Sequence, residues 1–219
     1  MLLQEIQLGA SCLLFDMDGT LLNSHAPTVR AYTDWANRYG LDPEHVLREA
    51  QGRRTIDSLR ALAPQGANLE SDVAEVMLRE REDTKGIIEI PGASALLRSL
   101  PTDRWAIVTS ADSILARNRI NAAGLPMPDV LVTAEDVKIG KPCPDGYLLA
   151  AKKLNADPRE CIVFEDAPAG IEAGRLAGAR VIAIESPMMQ GRLDEHDYLT
   201  DLTNVAVSMH EHRLVVSIC

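Results

Sequence analysis

Four short apolar runs, rich in β-branched residues, punctuate the chain: SCLLF (11–15), RWAIVT (104–109), ECIVFE (160–165) and ARVIAIE (179–185). DVLVT (129–133) is a weaker fifth. None alternates apolar with polar, so each reads as a strand buried on both faces, as in a parallel sheet covered by helices. Helical periodicity fills the gaps, at about 92–100, 113–124, 144–155 and 167–177. Strand–helix alternation requires right-handed crossovers, and the fold class that follows is α/β, with three layers around a parallel sheet. Ligands bind such sheets at the carboxyl ends of the strands.

One segment breaks the rhythm. Between about 25 and 86 no strand pattern occurs, only amphipathic helical stretches: PTVRAYTDWANRYG, PEHVLREAQG and LESDVAEVMLREREDTKG. The first has Pro27 at a plausible first helical position and Gly40 at a plausible stop. The expected division is a core of residues 1–23 and 87–219 with an all-helical cap of residues 24–86. The crossings, about 23–27 and 84–91, are candidate hinges. After residue 186 the pattern weakens, and NVAVSMHEHRLVVSIC alternates around a polar centre as a terminal hairpin would.

Composition narrows the partners. With 219 residues and a formal net charge of −10, the chain lacks the basic face that nucleic acid or an anionic membrane rewards. Cys12, Cys143, Cys161 and Cys219 show no metal-like spacing and fit reduced thiols. The N-terminal run has no signal-peptide grammar, and no stretch approaches the ~18 apolar residues of a membrane span. The expectation is a cytoplasmic protein, by default a monomer.

Candidate chemistry lies at the strand ends. FDMDGT follows the first run with Asp16 and Asp18, whose side chains on an extended chain would point to one side. Their repulsion asks for compensation, and a pair of carboxylate oxygens suits a hard cation such as Mg²⁺. An Asp-Gly turn alone would be ordinary. Thr109, Ser110 and Ala111 end the second run with a hydroxyl and small residues whose N–H groups can approach an oxyanion. Glu165 and Asp166 end the IVFED run, at the same edge as Asp16 and Asp18. Lys141 precedes Pro142, which biases it to an extended conformation from which it can reach into a site. Taken singly, a strand-end Thr is usually a cap and a loop Lys a surface charge; their order and common edge make the combination specific.

The succession FDMDGT, IVTS, KIGKPCPD, VFEDAPAG resembles the haloacid-dehalogenase-like hydrolases over nearly the whole chain. The helical insert resembles the cap of the subgroup that contains β-phosphoglucomutase, phosphoglycolate phosphatase and sugar-phosphate phosphatases. GKPCPD and EDAPAG look closest to bacterial sugar phosphatases and to yeast 2-deoxyglucose-6-phosphate or glycerol phosphatases. The resemblance implies a Rossmann-like core and a Mg²⁺-dependent phosphatase for small phosphomonoesters such as sugar or polyol phosphates. It implies Asp16 as nucleophile and Asp18 as general acid and base. Thr109, the Ser110 N–H and Lys141 would hold phosphoryl oxygens, with Met17 and Gly19 N–H groups adding a nest. The metal would take Asp16, the Asp18 backbone oxygen and Asp166, with Glu165 as further ligand or orienter.

Two other readings compete. Mutases of the β-phosphoglucomutase kind carry a hinge histidine that would match Thr28, and His25 lies three positions away. A phospho-receiver signalling domain has a later phospho-accepting aspartate and no inserted cap. In the insert, QGRRTIDSLR (51–60) is the candidate specificity loop through Arg53 or Arg54, against the alternative of two solvated arginines at a helix start. Trp35 and Tyr39, four apart, read as packing, as does Trp105. No role is assigned to His196, His210 or His212.

Overall fold

The computed structural model describes residues 6–186 and 198–218; Cys219, His196 and the first five residues of the N-terminal run lie outside the described residues. The apolar runs form β2 (Cys12–Phe15), β5 (Trp105–Val108), β6 (Val130–Val132), β7 (Cys161–Glu165) and β8 (Arg180–Ile184). With β9 (Tyr198–Leu199) they make a six-stranded parallel sheet in the order β6-β5-β2-β7-β8-β9. Every residue of β2, β5 and β7 is buried, which is why these strands read as unbroken apolar runs.

Strand alternation sorts β2 between two cores. Leu13 and Phe15 join the layer containing α5 (Ala93–Ser99) and α6 (Ser113–Ala122), with Leu96, Leu97, Leu115 and Ile120. Cys12 and Leu14 face α7 (Asp145–Lys153) and α8 (Pro168–Leu176), with Tyr147, Ala150 and Ala173. In register across β2 and β7, Phe15 stacks on Phe164 with centroids 5.0 Å apart, and Trp105 meets Phe15 edge-on at 6.5 Å. Trp105 is thus core packing.

Between residues 24 and 86 the insert has no strand and forms helices joined by turns: α1 (His25–Arg38), α2 (Pro43–Ala50), α3 (Thr55–Leu62) and α4 (Leu69–Glu82). Its own apolar cluster gathers Tyr32, Trp35, Val46, Leu59 and Val76. Trp35 and Tyr39 are packed together, centroids 5.6 Å apart. Helix α1 starts at His25 rather than Pro27, since a proline costs nothing anywhere in a first turn whose N–H groups lack helical partners. The crossings, the candidate hinges, are hydrogen-bonded to each other: β3 (Leu22–Asn23) pairs antiparallel with β4 (Ile88–Glu89).

The terminal hairpin is present as β10 (Val205–His210) and β11 (Arg213–Ile218). It is completed by a strand the sequence pattern did not reveal, β1 (Ile6–Ala10), paired antiparallel with β11. Leu214 and Val216 enter the α5–α6 core, so this second sheet closes its end. Among the described residues no helix is long and apolar enough to cross a membrane.

Candidate active site

Asp16 emerges directly from β2, its N–H donating to the Phe164 carbonyl at 2.9 Å. Its side chain is buried and its Oδ1 accepts from Lys141 Nζ. The same ammonium donates to Glu165 Oε1 at 2.6 Å and to the Val108 carbonyl at 3.3 Å, and lies 5.3 Å from the centroid of the Tyr147 ring. Tyr147 OH donates to Glu165 Oε1 at 3.0 Å, and the Ala167 N–H to Glu165 Oε2 at 3.0 Å. Lys141 therefore reaches in as its loop position suggested, and the Lys141–Pro142 peptide is cis.

Asp16, Glu165 and Asp166 form a buried trio whose ligand atoms lie within 4.8 Å of one another. Three carboxylates face one ammonium, and the imbalance shows in the proton affinity of Asp16 and Asp166. Burial and the neighbouring Glu165 push Asp16 well above the usual carboxylate range, against the opposing pull of Lys141. Burial and Glu165 likewise push Asp166 up to about 8. Burial works against the Lys141 charge, but Asp16 and Glu165 more than offset it and raise its pKa. An all-oxygen donor set with excess negative charge fits a hard divalent cation. The trio packs against Gly19, at φ 91°, where a Cβ would lie 2.1 Å from Asp166 Oδ2; only glycine lets the turn pass this close.

The Asp18 carboxylate is not a member of that trio. Strand β2 ends at Phe15, and the chain turns at once, with Leu21 and Leu22 N–H groups both on the Met17 carbonyl. The two-residue periodicity of an extended chain therefore stops before Asp18. Asp18 Oδ1 accepts from Ser24 Oγ at 2.5 Å and from Arg119 Nη1 at 2.9 Å. Nor is the Gly19 N–H free for an anion, because it donates to the Leu22 carbonyl at 2.7 Å.

Thr109 is buried at the end of β5, its Oγ1 accepting from the Ala111 N–H at 3.0 Å. Ser110 Oγ donates to the Gly52 carbonyl at 2.9 Å, joining core to insert. In the QGRR loop, Arg53 is exposed, whereas Arg54 binds Asp57 Oδ2 at 2.6 Å and the Lys138 carbonyl at 3.2 Å. Arg54 thus lines a cleft with Thr109, Ser110, Ile139, Lys141 and Cys143, as a wall braced on the core.

Sequence reasoning missed Gln51, whose Nε2 donates to Asp166 Oδ2 at 3.0 Å; it sits beside the flagged Gly52 and carried no charge to mark it. It also missed Tyr147, Ser24, Arg119 and Glu80. The two buried charges read as ordinary solvent-facing positions of amphipathic helices, and nothing in spacing separates the two cases.

Comparison with known proteins agrees with this geometry. The family model described as haloacid dehalogenase-like hydrolase matches residues 10–178. Hexitol phosphatase A of Escherichia coli is 48% identical over 190 residues, covering 84% of this chain and 87% of that protein. Glycerol-1-phosphate phosphohydrolase 2 of Saccharomyces cerevisiae is 36% identical, covering 83% of this chain and 77% of that protein. A crystal structure of a hydrolase from Pseudomonas syringae superposes with a TM-score of 0.70 at 26% identity, over 84% of this chain and 98% of that one. Strand order, acidic strand ends and this similarity along most of the chain lead to one assignment: the chain belongs to the haloacid dehalogenase-like hydrolases.

Proposed function

We propose that the protein is a Mg²⁺-dependent phosphatase of small phosphomonoesters, sugar or polyol phosphates, acting through an aspartyl-phosphate. The observation that carries this is the buried trio of Asp16, Glu165 and Asp166 around Lys141. Two named relatives, a hexitol phosphatase and a glycerol-1-phosphate phosphohydrolase, support the substrate class. An acidic chain with reduced thiols suits a cytoplasmic enzyme acting on such solutes.

Asp16, Asp166 and the Asp18 backbone oxygen would hold Mg²⁺, which when bound neutralises charge on the transferring phosphoryl group. Both Glu165 oxygens are already engaged, by Lys141 and Tyr147 and by the Ala167 N–H, so Glu165 orients Lys141 instead of acting as a primary ligand. The Asp16 carboxylate attacks phosphorus; the ester P–O bond breaks, and Asp18 gives its proton to the leaving oxygen. Water then attacks the aspartyl-phosphate, Asp18 takes its proton, and the bond from phosphorus to the Asp16 oxygen breaks. Lys141, Thr109 and the Ser110 N–H hold the equatorial oxygens, and charge stabilisation supplies most of the rate. The insert, resting on the site through Gln51 and Gly52, acts as the cap, with Arg53 and Arg54 beside the substrate.

A mutase is disfavoured at Thr28, whose hydroxyl accepts from Arg119 Nη2 at 3.1 Å and offers no base. The experiment is phosphate release from hexitol, hexose, glycerol and glycolate phosphates, with Mg²⁺, with EDTA, and with Asp16→Asn. Metal-dependent release lost in the variant supports the reading. No release from any compound overturns it.

A further inference from the structure

A buried arginine links Asp18 to the helical insert. Arg119 projects from α6 and is 4% exposed. Its Nη1 donates to Asp18 Oδ1 at 2.9 Å, while Nη2 donates to Glu80 Oε1 at 2.8 Å and Thr28 Oγ1 at 3.1 Å. Glu80 stands on α4 and Thr28 on α1, both in the insert. Glu80 is as buried as Arg119, and its Oε2 accepts from Thr55 Oγ1 at 3.4 Å. Neither Arg119 nor Glu80 takes part in any step of the hydrolysis just described.

Stability is a weak reason for such a pair. Desolvating two charges cancels most of their attraction, and an apolar pair of similar volume would join the helices as well. Location is the better reason. Both donors to Asp18, Ser24 and Arg119, fall on Oδ1, which leaves Oδ2 to carry the proton. The other end of the Arg119 fork grips residues flanking the β3–β4 ribbon, where the chain crosses between core and insert. A rotation of the insert at that ribbon would displace Glu80 and Thr28, and with them the guanidinium that orients Asp18.

The geometry points to Arg119 and Glu80 as positioning residues that tie the orientation of Asp18 to closure of the insert. This inference rests on the phosphatase reading. The pair sits by the crossing and meets the 51–60 segment at Thr55, not at Arg53 or Arg54, so it acts on proton transfer for every substrate alike, on kcat and not on KM.

The test uses Glu80→Gln, which keeps volume and an acceptor, with Arg119→Lys and Arg119→Met beside it and melting curves to verify folding. Each is assayed on glycerol 1-phosphate, whose alkoxide needs a proton to leave, and on p-nitrophenyl phosphate, whose phenolate does not. For Glu80→Gln, kcat on glycerol 1-phosphate should fall about tenfold or more with KM nearly unchanged, since general acid–base help is worth roughly 10²–10⁴. With p-nitrophenyl phosphate, rapid mixing should show a larger burst of nitrophenolate than wild type, because only the aspartyl-phosphate step still needs Asp18. Arg119→Lys should recover part of what Arg119→Met loses. Unchanged kcat, or equal losses on both substrates without a burst, overturns the inference while leaving the phosphatase intact. A wild type inactive on these two and on hexitol, hexose and glycolate phosphates removes the phosphatase reading and this inference with it.

Discussion

The side-chain amide of Gln51, on the helical insert, donates to Asp166 Oδ2 at 3.0 Å, so a neutral residue of the insert touches an acid of the core trio. A hydrogen bond to a charged group is worth at least about 1.5 kcal/mol, roughly a factor of ten. Gln51→Ala should lower kcat/KM about tenfold and shift the Mg²⁺ concentration that gives half-maximal rate. Phosphate release across a Mg²⁺ titration checks this; an unchanged curve would make Gln51 mere packing.

Asp16→Asn keeps size and shape but removes the nucleophile, and should abolish turnover while the melting temperature stays at or above that of wild type. Substantial residual activity would end the assignment of Asp16. Asp166→Ala should instead raise the Mg²⁺ requirement strongly, and a metal dependence like that of wild type would remove Asp166 from the ligand set.

Gly52 stands at φ 72°, and a Cβ there would lie 2.7 Å from the Ala167 Cβ across the seam between insert and core. Gly52→Ala adds backbone strain and a clash, each on the order of 1–2 kcal/mol, and opening the seam relieves the clash. The expected result is a KM raised roughly tenfold with little change in global melting. A variant with normal KM would show that the seam tolerates the methyl group.

Stability should depend on pH through Asp166, whose carboxyl burial and Glu165 raise from 3.8 to about 8. In metal-free protein the folded state keeps this proton where the unfolded chain has lost it. The contribution is complete below about pH 4 and disappears as pH rises towards 8. With EDTA, the melting temperature of wild type minus that of Asp166→Asn should fall between pH 5 and 8. Mg²⁺ needs the ionised carboxylate, so its protection should be larger at pH 8 than at pH 6. A difference that rises with pH in EDTA would contradict the proposed proton.

The sheet was legible because β2, β5 and β7 are covered on both faces and leave unbroken apolar runs, and β8 is buried from Ile182 to Ile184; the helices between them repeat at their own period. β3, β4 and β9 are two-residue strands, below the length at which any period shows. β1 is largely exposed and pairs only within the small terminal sheet, so it lacked the same apolar signature.

In the site, Asp16, Thr109, Glu165 and Asp166 were legible as polar groups at the ends of apolar runs, a placement that parallel-sheet topology turns into a common edge. By itself the sequence determined that edge, the residues gathered on it and the presence of a helical insert, because strand period and chain direction are local properties. Tertiary structure alone decided that Ser24 and Arg119 hold Asp18, that Gln51 reaches Asp166 and that Arg119 and Glu80 are buried together. Those outcomes depend on where a turn aims a side chain and on which charges packing excludes from water, and neither is encoded in the spacing of residues along the chain.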